Sequence, residues 1–125
     1  MARILIVEDN ELVRRAVHLI LELAEHEVLE ASNGESGLAL LASETVDAVL
    51  ADLSMPGMGG LAFVGAAKAQ VPGLPVIVMS GGGIAPDGGD LLEAARNAGA
   101  DLVLRKPFDD RALLDALASL TLRAS

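Results

Sequence analysis

The sequence has no cysteine, tryptophan or tyrosine and only two phenylalanines. Without thiols it can build neither a disulfide framework nor a thiolate metal site, which suits a reducing compartment. With so few aromatics, its core has to be assembled from Leu, Val, Ile and Ala. Basic residues are scarce as well: nine Lys and Arg stand against eighteen Asp and Glu, for a net charge of −9. That balance opposes a general attraction to nucleic acid or to anionic lipid and favours a protein or a cation as partner. Long apolar runs are also missing, since charge interrupts each of them well short of the about 18 residues that read as a membrane span. Met1-Ala2-Arg3 leads into a short apolar segment closed by acids, without the length or cleavage region of a secretory signal. A cytoplasmic protein that binds neither nucleic acid nor membrane is the expectation.

What is present is a chain of 125 residues, 52% of them hydrophobic, enough for one buried core; a single domain over 1–125 is expected. Short β-branched or aliphatic runs alternate five times with segments of helical period, the pattern of βαβ units around a parallel sheet. The strands read as Ile4 to Val7, Glu27 to Ala31, Val46 to Ala51, Val76 to Met79 and Asp101 to Leu104. The second is the most polar and so belongs at an edge. Leu12, Val13, Ala16, Val17, Ile20 and Leu23-Ala24 recur at helical spacing after the first strand. Ser32-Asn33-Gly34 starts a helix carrying Leu38, Leu41 and Ala42, and Leu61, Val64, Ala67 and Ala69 mark the next, which stops near Pro72-Gly73. A fourth helix runs from about Asp90 to Asn97 with Gly99 as its stop, and the last from about Asp109 to Leu122, its acids at the positive N-terminal end.

In an open doubly wound sheet, reactive groups gather beyond the carboxyl ends of the strands. The first strand ends in Glu8-Asp9, the third in Asp52 and the fourth in Ser80, while the fifth leads to Lys106-Pro107. Three carboxylates in one pocket repel one another, and a hard divalent cation relieves them. Mg²⁺ takes oxygen ligands and also binds phosphate, so it would join these acids to a phosphoryl group. Lys106 could neutralise one phosphoryl oxygen and the Ser80 hydroxyl could donate to another, leaving Asp52 as the carboxylate nucleophile.

Glu8-Asp9, Asp52 followed by Met55-Pro56-Gly57, Ser80, and Lys106-Pro107-Phe108 together resemble the receiver domain of two-component response regulators over nearly the whole chain. Each motif is weak alone; four in this order at strand ends are specific. The resemblance implies a flavodoxin-like α/β fold with strand order 2-1-3-4-5. It implies that Asp52 accepts a phosphoryl group from a histidine kinase or histidine phosphotransfer protein and that the chain catalyses its own phosphorylation and dephosphorylation without being a metabolic enzyme. It further implies that Asp9 and Asp52 bind Mg²⁺ directly, with Glu8 acting through water and the Ser54 carbonyl as a further ligand. Ser80 and Lys106 would hold phosphoryl oxygens, and Pro107 would follow a cis bond. The beginning at Met1 and the end soon after the last helix fit a stand-alone receiver acting on a downstream protein through a surface of the fourth helix, fifth strand and last helix.

The sequence departs from that family at several places. Val103 stands where an aromatic ring usually swings inward, three residues before the lysine, so the output is expected to use another element, with the Gly-rich stretch from Gly81 to Gly89 as candidate. Glu8 replaces the usual Asp with an arm one methylene longer. The small Ser54 and Gly82 leave a path open to water, from which a short-lived phosphoryl state is expected.

Singly, these residues have plainer readings: Glu8-Asp9-Asn10 as a helix cap, Asp52 and Ser80 as turn residues, Lys106 as a solvated cation. His18 and His26 read as surface or boundary residues, Met55 and Met58 as packing, and no phosphate-loop motif accompanies Gly81-Gly82-Gly83. Two other functions compete with the receiver reading. One is a receiver-like binding module that is not phosphorylated. The other is an aspartyl-phosphate hydrolase, disfavoured because Ser54 stands where such enzymes place a second Asp.

Overall fold

The computed structural model describes residues 2–53, 59–80, 91–106 and 108–124. Ten elements alternate along the chain: β1 (Arg3–Val7), α1 (Glu11–Leu23), β2 (Glu27–Ala31), α2 (Gly34–Ser43), β3 (Ala48–Asp52), α3 (Gly59–Gln70), β4 (Val76–Ser80), α4 (Leu91–Ala98), β5 (Leu102–Arg105) and α5 (Asp110–Ala124). All strand pairs are parallel, and the order across the sheet is β2-β1-β3-β4-β5, as expected. Ser54 to Met58, the stretch from Gly81 to Asp90 including Gly82, and Pro107 with its expected cis bond lie outside the described residues.

Alternation along the strands divides the core in two. Leu5 and Val7 of β1, Val49 and Ala51 of β3, and Val76 and Val78 of β4 pack with Leu41 of α2, Phe63, Val64 and Ala67 of α3, and Ala95 of α4. Their neighbours Ile4, Ile6, Ala48, Leu50, Ile77 and Met79 pack on the other face with Val17 and Leu21 of α1 and Leu113, Leu117 and Leu120 of α5. Each large aliphatic side chain buried this way contributes about 1.5–3 kcal/mol before ordering costs. Strand β2 is indeed the polar edge, with Glu27 and Glu30 exposed and Ala31 buried.

Helix starts follow the cap chemistry. Asn10 Oδ1 accepts the Val13 N–H at 3.1 Å, Asn33 Oδ1 that of Ser36 at 2.7 Å, and Asp109 Oδ1 that of Ala112 at 2.8 Å. Gly99, at φ +120°, closes α4 as expected. Strand β3 begins at Ala48 rather than Val46, which packs against the core without pairing. The larger correction concerns α1. Leu12 and Leu23, whose spacing fits an inward stripe, point outward, and the inward side is carried by Val17 and Leu21. His26 is a boundary residue whose Nδ1 accepts the Ala2 N–H at 3.1 Å, which ties the beginning of β1 to β2.

Two glycines of α3 should respond oppositely to alanine. A Cβ on Gly60 would lie 2.4 Å from Leu53 Cα and 2.6 Å from the Asp52 carbonyl oxygen, so the glycine lets α3 start against the end of β3. Gly60→Ala is expected to destabilise the fold by about 2–3 kcal/mol. Gly65 has nothing within 4 Å of a Cβ, and Gly65→Ala should stabilise by about 0.5–1 kcal/mol through helix propensity. Urea denaturation of the two variants checks both signs.

Candidate functional site

The parallel sheet brings its strand ends to one side, and two carboxylates, a hydroxyl and an ammonium arrive there. The Glu8 N–H donates to the Ala31 carbonyl at 3.1 Å, so Glu8 continues the β1 ladder, and only 1% of it is exposed. Asp52, the last residue of β3, is 3% exposed. It lies opposite Met79 in the register, so Ser80, fully buried, ends the neighbouring strand one residue on. Beyond β5, the Lys106 N–H donates to the Ser80 carbonyl at 2.8 Å. That bond carries the lysine back over the sheet end, where Nζ lies 3.1 Å from Asp52 Oδ1 and 3.4 Å from Glu8 Oε1.

Asp9 completes the group. One carboxylate oxygen from each of Glu8, Asp9 and Asp52 falls within 4.8 Å of the others, Asp9 on the solvent side and the other two buried. Glu8, Asp9, Asp52 and Lys106 are therefore brought together as the sequence implied. Ser54, the remaining expected ligand, lies outside the described residues.

One ammonium serves two buried carboxylates, and the electrostatics show that it is not enough. Burial, and then the charge of Asp52, push the Glu8 carboxyl up to about 7 against the pull of the Asn10 N–H and of Lys106. Burial works to lower Lys106, but its hydrogen bond and charge interaction with Asp52, followed by those with Glu8, outweigh it and hold the ammonium above its ordinary value. The lysine's shorter bond goes to Asp52, so Glu8 is the acid left under-compensated. A set of hard carboxylate oxygens with an unmet demand for positive charge could hold a divalent cation, Mg²⁺ being the one that matches the donor type.

Arg14 escaped the sequence reading. Its Nη1 donates to the Glu8 carbonyl at 2.9 Å and its Nε to Glu30 of β2 at 2.7 Å, which fastens the turn carrying Glu8 and Asp9 to α1 and the sheet edge. His18 shares Glu30 at 2.6 Å. Partial burial would raise the Glu30 carboxyl, but hydrogen bonds from Arg14 and His18 hold it below its ordinary value. An Arg one turn into a helix after two acids, with Glu on the adjacent edge strand, was the available signal. Arg14→Ala should cost about 1–2 kcal/mol, read by thermal or urea unfolding, because the Glu8 carbonyl loses its partner.

Comparison with known proteins agrees with this arrangement. The response regulator receiver domain matches residues 4–118. The chain is 38% identical over 117 residues to the response regulator protein FleR of Pseudomonas aeruginosa, covering 94% of this chain and 24% of FleR. It is 34% identical to protein PilH of the same species, covering 94% of this chain and 95% of PilH. The chain thus spans about a quarter or less of FleR and of the other long relatives such as RpfC of Xanthomonas campestris, but nearly all of PilH. Among solved structures, chemotaxis protein CheY4 of Vibrio cholerae superposes with a TM-score of 0.85 at 30% identity, covering 96% of this chain and 98% of CheY4. A CheY-like receiver domain protein of Methanospirillum hungatei gives 0.89 at 29% identity, with 98% and 95% covered. The match runs from β1 into α5 and takes in every strand whose end supplies the acidic cleft, so the chain belongs to the response regulator receiver domain family of two-component systems.

Proposed function

We propose that Asp52 performs in this chain the phosphoryl acceptance that is the general role of receiver domains. The donor is a phosphohistidine on a histidine kinase or phosphotransfer protein. An Asp52 carboxylate oxygen attacks phosphorus, the new P–O bond forms as the donor P–N bond breaks, and the imidazole leaves with the bonding pair and takes up a proton. Lys106, already 3.1 Å from Asp52, is placed to follow the charge onto a phosphoryl oxygen, and the Ser80 hydroxyl is assigned to another. Mg²⁺ held by Asp9 and Asp52, with Glu8 acting through water and the Ser54 carbonyl as a further ligand, would supply the charge that stabilises the transferring oxygens. Water attacking the same phosphorus breaks its bond to Asp52, releases inorganic phosphate and restores the carboxylate, so the residues that load the switch also unload it. Receiver domains are not metabolic enzymes, and the product here is a changed protein.

The observation that carries this reading is the contact of one lysine with two acids from different strands at the strand ends. Residues 1–125 act on this reading as one cytoplasmic receiver unit, signalling through altered binding to a downstream protein or through onward transfer. Among the described residues, no helix is long and apolar enough to cross a membrane. Val103, half-buried against the face that carries α3 and α4, has no ring to rotate, so on this reading the output uses another element, with the stretch from Gly81 to Gly89 as candidate, and is presented on the surface of α4, β5 and α5. The test is incubation with a small phosphodonor, with and without Mg²⁺. Intact mass should show addition of one phosphoryl group only with the metal.

A further inference from the structure

The backbone of Glu8 is held at both ends from the edge strand. Its N–H donates to the Ala31 carbonyl of β2, while its carbonyl accepts Arg14 Nη1 at 2.9 Å, and Arg14 Nε is held in turn by Glu30, the residue before Ala31, at 2.7 Å. The Arg14 backbone N–H also donates to the Asn10 carbonyl at 2.9 Å. Arg14 therefore grips the turn between β1 and α1 on both sides of Asp9, and with a side chain only 17% exposed it is no solvated cation. The chain of contacts continues outward. His18, one turn further along α1, brings Nδ1 to 2.6 Å from Glu30 and Nε2 to 3.2 Å from Glu22. A carboxylate only accepts, so Nδ1 is the donor there and fixes Glu30 through the oxygen that Arg14 leaves free.

We propose that Arg14 is a positioning residue for the divalent cation, with Glu30 and His18 as its outer supports. The inference rests on the metal-assisted reading of the cleft given above. A peptide unit is planar, so the direction of the Glu8 carbonyl also sets where Asp9 follows it. Asp9 stands on the solvent side of the cleft, where packing does not fix it, and its aim toward Glu8 and Asp52 comes from the turn. Residues that orient ligands from behind change metal affinity about 10-fold to 100-fold when removed. Charge alone predicts the opposite sign for Arg14, because taking a cation away from a cation site should tighten binding. The direction of the change therefore separates orientation from electrostatics.

Isothermal titration calorimetry with Mg²⁺ on the full chain, at a temperature where every variant is folded, tests this. Arg14→Gln should bind about tenfold more weakly than the wild type despite its lost positive charge, and Arg14→Lys, which can keep one of the two side-chain bonds, should fall between them. Glu30→Gln and His18→Gln should each lose about twofold to threefold. Because Glu30 acts through Arg14, the double variant Arg14→Gln, Glu30→Gln should bind no more weakly than Arg14→Gln alone. The phosphorylation rate of Arg14→Gln with a small phosphodonor should drop at low Mg²⁺ and return to within about twofold of the wild type once the metal saturates. A residue that served the fold alone would leave the affinity of the folded protein unchanged. Should Arg14→Gln fail to fold, Arg14→Lys and Glu30→Gln decide the matter. Wild-type affinity or tighter in the Arg14 variants overturns the proposal, as do additive losses in the double variant. A wild type that binds Mg²⁺ but takes up no phosphoryl group would instead overturn the acceptor role of Asp52 and leave the role of Arg14 standing, and one that binds no Mg²⁺ overturns both.

Discussion

Replacing Lys106 with alanine should make the protein bind Mg²⁺ more tightly and phosphorylate more slowly. The ammonium sits 3.1 Å from Asp52 and 3.4 Å from Glu8, on oxygens that a dication would use, so it competes with the metal by charge. Removing it frees those oxygens and removes a repulsion that at short range exceeds 1 kcal/mol even with strong screening; an affinity gain of about tenfold is expected. The phosphoryl oxygens meanwhile lose a cation held in place before the reaction, and the loss of one such group costs about 100-fold in rate. Without metal, the variant should also be less stable at pH 8 by about 2 kcal/mol, because two buried acids lose the cation that contacts both of them among the described residues, and Mg²⁺ should restore most of it. Metal titration followed by melting temperature gives the affinity, and a time course of intact mass gives the rate. If both fell together, Lys106 would be supporting the cleft instead of sharing it with a metal.

The pH dependence centres on Glu8. Its carboxyl is pushed up to about 7 in the folded, metal-free chain, against an ordinary value of 4.5, chiefly by burial and then by Asp52. Between those two values the folded state binds more protons than the unfolded one. The stabilisation is therefore fully present below about 4.5 and is lost as pH rises through about 7. Metal-free protein should lose about 2 kcal/mol of stability between pH 5 and pH 8 from this group, a figure reduced for its coupling to neighbours. Glu8→Gln has no proton to lose and should be flat over that range, ending above the wild type at pH 8. Mg²⁺ acts in the opposite sense. It needs the ionised carboxylate, so its stabilisation of the wild type should grow from pH 6 to pH 8, while Glu8→Gln should bind about tenfold more weakly at pH 8 and show little of that growth. Urea denaturation across pH, with and without Mg²⁺, reads every arm.

The site was legible in the sequence for a topological reason. In a parallel sheet, residues just beyond strand ends converge, so Glu8-Asp9, Asp52 and Lys106 could be placed together once the strands were recognised. Strands β1, β3 and β4 were easy because they are buried on both faces and read as continuous aliphatic runs, and β2 because its glutamates mark an edge. Helix α1 was harder. Its apolar residues cover about half the circumference, and periodicity alone does not say which part of so wide an arc meets the sheet. Leu12 and Leu23 were thus grouped with residues they do not pack beside. Arg14 was missed because its two partners, the Glu8 carbonyl and Glu30, lie respectively on a turn and on a strand, where spacing within a helix carries no information. Val46 extended the apparent β3 because an apolar residue can enter the core ahead of the first ladder bond.

The direct test is intact mass after incubation with a small phosphodonor and Mg²⁺, wild type beside Asp52→Asn. The account predicts one phosphoryl adduct on the wild type, lost when Mg²⁺ is chelated, and none on the variant, which keeps the fold and lacks the nucleophilic carboxylate. An adduct of equal yield on Asp52→Asn, or a folded wild type that takes up none, would contradict it.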